Sequence, residues 1–219
     1  MSQSKKSNTS RLFFEILTKE EEKEFPKLSH FANLGFLFGG TALALQLNHR
    51  HSYDFDVCLS KPLPKALPAK ARSVFGKIKI INYFEEQLTF ITSNNLKITF
   101  VYYPFSALCP VISTPSINVA NWKDIVSDKA YAIGRRALYR DYVDLFCVMK
   151  DKKISLDFII KQADKKFGGL FSEKLFLEQL TYFDDLEIVP INFTKKEYGV
   201  LEIQSFFEKQ VKEYLKKPM

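Results

Sequence analysis

The stretch Phe36 to Leu59, FLFGGTALALQLNHRHSYDFDVCL, leaves this chain few ways to fold. Phe36-Leu37-Phe38 reads as a short buried strand, Gly39-Gly40 as a tight turn, and Thr41 to Leu47 as a helix with Leu43, Leu45 and Leu47 available for burial. A second strand follows in Ser52 to Val57. Its period of two puts Asp54 and Asp56 on one face and Tyr53, Phe55 and Val57 on the other. Two neighbouring carboxylates repel unless a cation sits between them. Glycines between a strand and a helix leave backbone amides free at a helix N-terminus, where the dipole favours an anion. Each half has an ordinary explanation by itself, since a tight turn needs the same glycines and a solvated strand face carries the same acids. Together they are more pointed. A strand, turn and helix returning to a neighbouring strand bring the amides beside the carboxylates, so that phosphate and a divalent metal ion meet at one place.

The flanking chain reads as support for that unit. Residues 1–9 are polar, and Ser10 is placed to cap a helix carrying Leu12, Phe13, Ile16 and Leu17. Thr18 with Glu21 three residues on is a capping-box signature, so a helix is expected from there toward Phe25. Leu28 to Leu34 is a third short helical piece. Downstream, KPLPKALPAK is too proline-rich for a central strand and leads into a helix near Ala66 to Phe75. From Gly76 to Tyr103 the sequence alternates and is rich in β-branched and aromatic residues, which predicts three antiparallel strands with a turn at Ser93-Asn94-Asn95. The expected fold is α+β, a mixed sheet of about five strands with flanking helices. From Trp122 onward helical periodicity takes over, near residues 122–135, 138–150, 154–167, 172–182 and 195–215. The chain is expected to divide near residue 120, into a sheet domain at 1–120 and a helical bundle at 121–219.

With 32 Lys and Arg against 25 Asp and Glu, the net charge of +7 suits a polyanionic partner as well as a plain solvated basic surface. Cys58, Cys109 and Cys147 are far apart and set in apolar context, which predicts reduced thiols and a cytoplasmic location. His30, His49 and His51 do not form a zinc-ligand spacing with them. No apolar run reaches the length of a membrane span, and neither secretion nor a membrane partner is expected.

A second cluster of charge runs from Asp128 to Arg136, DKAYAIGRR, and on through Arg140-Asp141-Tyr142-Val143-Asp144. As one continuous helix it would carry Lys129, Ile133, Arg136, Arg140 and Asp144 on one face; alternatively Gly134 splits it in two. Ala132, Leu138, Leu145 and Phe146 are expected to pack inward. Spacing alone fits a surface helix with ion pairs as well as it fits a site.

The stretches GGTALALQLNHRHSYDFDV, DIVSDKAYAIGRR and YRDYVDLFCVM resemble the AbiEii/AbiGii toxin family of nucleotidyltransferases, within the DNA polymerase beta-like superfamily. The resemblance covers most of residues 36–150. It implies transfer of a nucleoside monophosphate from an NTP to an acceptor, in that family an RNA such as a tRNA 3′ end, by the toxin of an abortive-infection or toxin–antitoxin pair with a cognate antitoxin. Carried onto this sequence, the family's motifs fall on Gly39, Gly40 and Thr41, on Asp54 and Asp56, on Lys129, and on Arg140, Asp141 and Asp144. Asp54 and Asp56 would hold Mg²⁺, or Mn²⁺ in its place. The glycine turn with Arg50 and Ser52 would take phosphates, Lys129 would neutralise the triphosphate, and Arg136, Arg140 and Asp141 would complete nucleotide binding. Asp144 either orients Lys129 or serves as a base toward the acceptor hydroxyl. Many relatives carry a third carboxylate on a following strand. The corresponding strand here, Lys97 to Val101, has Thr99 at its polar centre, which leaves open a catalytically weak or inactive nucleotide-binding module. Glu85 and Glu86, one strand earlier, could substitute for that acid, although they read more readily as exposed hairpin residues.

Overall fold

The computed structural model describes residues 11–136 and 138–216. A five-stranded mixed sheet is built from β1 (Gly35–Phe38), β2 (Asp54–Leu59), β3 (Ile78–Phe84), β4 (Gln87–Thr92) and β5 (Lys97–Tyr102), in the order β1-β2-β5-β4-β3. β2 and β5 run parallel while every other pair is antiparallel. Helices α1 (Lys19–Glu24), α2 (Gly39–Leu47) and α3 (Leu67–Phe75) are interleaved with the strands. Helices α4 (Trp122–Ile133), α5 (Tyr139–Lys152), α6 (Leu156–Phe167), α7 (Glu173–Thr181) and α8 (Val200–Leu215) follow. The fold is α+β, as the alternation between period-two and period-3.6 segments predicts.

Local chemistry sets the ends of these elements. The Thr18 hydroxyl accepts the Glu21 amide and the Glu21 carboxylate accepts the Thr18 amide, so the capping box that starts α1 is complete. Asn121, Ser155 and Ser172 cap α4, α6 and α7 through their side chains. Asn48 stops α2 in the left-handed conformation, and Asn95 does the same for the β4–β5 turn.

One face of the sheet is apolar. Phe55, Val57, Leu88, Phe90, Ile98 and Phe100 are fully buried there, with Phe31 stacked on Phe75 at 5.7 Å and packed on Phe100 at 4.8 Å. α2 is buried on all sides from Thr41 to Leu47, wedged between β1 and β2 and the helices α4 and α5. Gln46 locks that wedge: its amide nitrogen donates to the Ala42 and Ala120 carbonyls, and its oxygen accepts from the Trp122 amide.

Four expectations differ from the structure. The cap expected at Ser10 lies outside the described residues, and the apolar segment after it forms one 3-10 turn, Phe14–Ile16, in place of a longer helix. The piece expected at 28–34 is also 3-10, Phe25–Phe31, because Pro26 enters where a continued α-helix would need its amide. Leu138, expected in the core, is 45% exposed: as the extended residue before α5 it lies outside the helical period that placed it inward. The helix expected from 195 begins only at Val200, and the chain just before 195 runs beside His49 to His51, with the His51 amide on the Asn192 carbonyl at 2.8 Å and the Thr194 amide on the His49 carbonyl at 3.1 Å.

Candidate active site

The site forms where β1 ends and β2 begins. Gly39 takes φ +74°, a conformation that a side chain resists, and a Cβ there would come within 3.0 Å of Asp56 Oδ2. At Gly40 a Cβ would meet the Arg50 guanidinium and the Ser52 hydroxyl, each at 2.9 Å. Gly39 is favoured by its backbone conformation and by close approach, and Gly40 by close approach alone. Phe38, at the N-cap of α2, offers no side-chain cap, so the first amides of the helix point out beside the carboxylates without a protein partner at that cap.

Asp54 and Asp56 share a half-exposed face, as the period of two predicts. Burial, and then the charge of Asp54, push the Asp56 carboxyl up to about 6, against the opposing pull of Lys97, Lys129 and the Thr99 hydroxyl. Asp54 is held from two sides: Lys97 Nζ lies 2.9 Å from its Oδ2, and its backbone carbonyl accepts the Thr41 hydroxyl at 2.5 Å. Among the described residues no three His, Cys, Asp or Glu side chains gather into a metal-binding group. The two aspartates nevertheless fit a hard divalent cation whose remaining ligands are water and phosphate oxygens, which is how Mg²⁺ is usually held.

Behind the glycine turn lies a buried ionic knot. Asp144 has no exposed surface. Its Oδ1 accepts from Arg50 Nε at 2.7 Å and from His49 Nε2 at 2.9 Å, and its Oδ2 accepts from Arg50 at 2.9 Å and lies 2.7 Å from Lys129 Nζ. Lys129 reaches Asp141 Oδ1 at 2.5 Å as well. Desolvation alone would raise the Asp144 carboxyl, yet Arg50, Lys129 and His49 hold it well below the usual range. Desolvation likewise disfavours charge on Lys129, and Asp141 and Asp144 outweigh it. Burial keeps His49 neutral, its pKa lowered in spite of Asp144. The knot thus carries two fixed cations against two fixed anions.

A cleft of about 340 Å³ opens between the sheet and α4. Gly39, Gly40, Asp56, Lys129, Asp141 and the exposed Arg136 line it, together with the ring of Tyr131. Several expected residues stand elsewhere. Thr41 is buried with its hydroxyl committed to the Asp54 carbonyl, which leaves it nothing for a phosphate. Arg50 is 4% exposed and commits its donors to Asp144 and to the His51 carbonyl, so it braces the turn from behind. Ser52 is buried, against Gly40 and 3.5 Å from Asp54 Oδ1. Arg140 is exposed at a neighbouring shallow pocket, near enough to Lys97 to act on its charge. Asp144, with no exposed surface, is out of reach of any acceptor hydroxyl. Gly134 does end α4, yet Lys129 and Asp144 meet across the break between the two helices.

Sequence reasoning missed two features. Lys97 pairs in register with Asp54, and Thr99 with Asp56; period two already placed Lys97 on the face of Thr99, but the parallel partner was not legible. Asp128 lines the cleft and is gripped by Lys166 at 2.7 Å and the Tyr103 hydroxyl at 3.0 Å, with Lys166 also reaching Asp124 at 3.2 Å. Only the proximity of Asp128 to Lys129 in sequence hinted at that.

Known proteins share this fold. The fold is similar to that of MenT4, a nucleotidyltransferase toxin from Mycobacterium tuberculosis, with a TM-score of 0.60 and 12% identity over 91% of this chain and 83% of that one. It is also similar to JHP933 from Helicobacter pylori, with a TM-score of 0.50 and 20% identity over 93% and 98%. An uncharacterized protein of Aquifex aeolicus, aq_aa25, is 28% identical over 211 residues, spanning 90% of this chain and 97% of the relative. The family model for the nucleotidyl transferase AbiEii toxin of type IV toxin–antitoxin systems matches residues 25–197, and the chain, a nucleotidyltransferase, belongs to that family.

Proposed function

We propose that this toxin transfers a nucleoside monophosphate from an NTP to an RNA acceptor, a tRNA 3′ end in particular, with Mg²⁺ or Mn²⁺ held by Asp54 and Asp56. The observation that carries the reading is the Asp56 carboxylate lying against Gly39, at the uncapped amino end of α2. Phosphate oxygens and carboxylates have one place to meet there. Bound metal would screen the triphosphate and polarise its α-phosphorus. The amides of Gly39 and Gly40 receive phosphate oxygens, and Lys129, held charged by Asp141 and Asp144, faces the same cleft. Arg136 and Arg140 add positive charge at the rim, where the leaving pyrophosphate and the RNA backbone need it. In the step itself the acceptor hydroxyl oxygen bonds to the α-phosphorus, the bond to the pyrophosphate oxygen breaks, and the hydroxyl proton passes to water. Asp144 is a positioning residue: it holds Arg50 behind the turn and Lys129 in front. On this reading residues 1–120 supply the metal and phosphate contacts, and residues 121–219 supply Lys129 and its anchors. An antitoxin partner follows from the type IV family, and an RNA target implies a cytoplasmic site of action; no described helix is long and apolar enough to cross a membrane.

The test is label transfer from each NTP to total RNA and to a purified tRNA pool, with Mg²⁺, comparing the wild type with Asp54→Asn and Asp56→Asn. Transfer by the wild type alone, with circular dichroism unchanged, supports the proposal, and equal labelling by the variants removes it. Thr99, which stands across from Asp56 on β5 and offers a hydroxyl where a carboxylate would add a metal ligand, favours one alternative, a module that binds nucleotide without transfer. Nucleotide binding by calorimetry with no pyrophosphate released would establish that instead.

A further inference from the structure

Strand β5 presents a cation to the carboxylate pair. Its parallel register with β2 places Lys97 directly across from Asp54 and Thr99 across from Asp56. The ammonium lies 2.9 Å from Asp54 Oδ2. This placement comes from the sheet: neighbouring strands lie about 4.8 Å apart, so a lysine on that face of β5 has the β2 carboxylate within easy reach. Lys97 differs from the two cations that hold Asp144. Arg50 and Lys129 are buried around that carboxylate, whereas the Lys97 side chain is 48% exposed and that of Asp54 is 22% exposed. A half-exposed ammonium on a flexible four-carbon stem can leave its partner without unfolding anything.

We propose that Lys97 is a placeholder for the divalent cation on Asp54, so that metal enters the site together with the triphosphate and not before it. With Lys97 on Asp54, the pair of aspartates presents one net negative charge, and a bare dication must displace a like charge to bind. A metal–nucleotide complex brings phosphate oxygens with it. Lys97 then moves from the carboxylate to those oxygens, and the lost ion pair is replaced by another. The result is a site that stays free of metal until substrate arrives. The inference rests on the proposal that Asp54 and Asp56 hold the metal.

The experiment is Mn²⁺ binding by the full chain, read from the electron paramagnetic resonance signal of free Mn²⁺, with and without a non-hydrolysable α,β-imido NTP. Without nucleotide, the wild type should bind Mn²⁺ at least tenfold more weakly than Lys97→Met and Lys97→Gln, while Lys97→Arg should resemble the wild type. With the nucleotide analogue, the wild type should bind Mn²⁺ well and Lys97→Met should bind the analogue more weakly. Adding Asp54→Asn to Lys97→Met should abolish the gain, locating it at this carboxylate. Equal Mn²⁺ affinity in the wild type and both neutral variants without nucleotide overturns the placeholder role while leaving the metal site standing. No Mn²⁺ binding by any variant, even with the analogue, overturns the metal site and this inference with it.

Discussion

Glu21 is the place to test the electrostatics of this fold, because one substitution separates its charge from its structural bond. Its side chain is 1% exposed in the first turn of α1, with Oε2 accepting the Thr18 amide at 2.8 Å and Oε1 buried without a partner among the described residues. Burial pushes the carboxyl from 4.5 up to about 7; the two Thr18 bonds oppose the rise, and Asp54 and Glu20 add to it. A raised acid has a definite sign. Between the unfolded and folded values the native state binds more protons than the unfolded chain, so stability falls as pH rises through that window. Below about pH 4.5 the group costs nothing, and well above 7 the full penalty of a buried carboxylate is felt. Each tenfold change in proton affinity corresponds to about 1.4 kcal/mol, and integrating the two titrations from pH 5 to pH 8 gives a loss of about 2.5 kcal/mol from this residue alone. Glu21→Gln keeps the capping box, which accepts glutamine in the same position, and removes the titration. Unfolding in guanidinium chloride at pH 5 and pH 8 should therefore show the variant gaining about 2.5 kcal/mol on the wild type between the two conditions, whatever its offset at pH 5. Parallel pH profiles for the two proteins would refute the reasoning.

Two further outcomes are expected. Asp144→Asn leaves Arg50 and Lys129 buried with half their counter-charge gone and should destabilise the chain by about 3–5 kcal/mol, read as a lower denaturant midpoint, with transfer lost at the same time. Gly40→Ala gains roughly 1 kcal/mol of helix propensity, yet its Cβ meets Arg50 and Ser52 at 2.9 Å; calorimetric NTP affinity should fall at least tenfold, with the melting temperature changed by only a few degrees.

Local rules carried much of the fold. A short apolar run located β1 and period-two alternation the other four strands, and the Thr18–Glu21 spacing, Asn95 and Gly76 marked boundaries that the structure keeps. The placement of Asp54 and Asp56 on one face beside the glycine turn was legible because it depends on strand pleat and a single short helix. What was not legible depends on distant pairing. Nothing in the residues around Arg50 says that its guanidinium will turn to Asp144, ninety-four positions on, and away from a phosphate. Lys97 escaped for a related reason: strand periodicity gives the face, but only the parallel register gives the partner. Leu138 shows the opposite error, where a helical period was extended across Gly134 into a residue that is extended and outside the helix.

The knot around Asp144 also sets a clock on synthesis. His49 and Arg50 leave the ribosome long before the carboxylate that holds them both, and until Asp144 emerges these groups would be desolvated without that opposing charge, so that the turn they brace stays unformed. At roughly 5–20 residues per second the ninety-four intervening positions take about 5–19 s to make. A chain truncated before Asp144 should therefore not bind nucleotide at all, and the site closes only once synthesis is well past its midpoint.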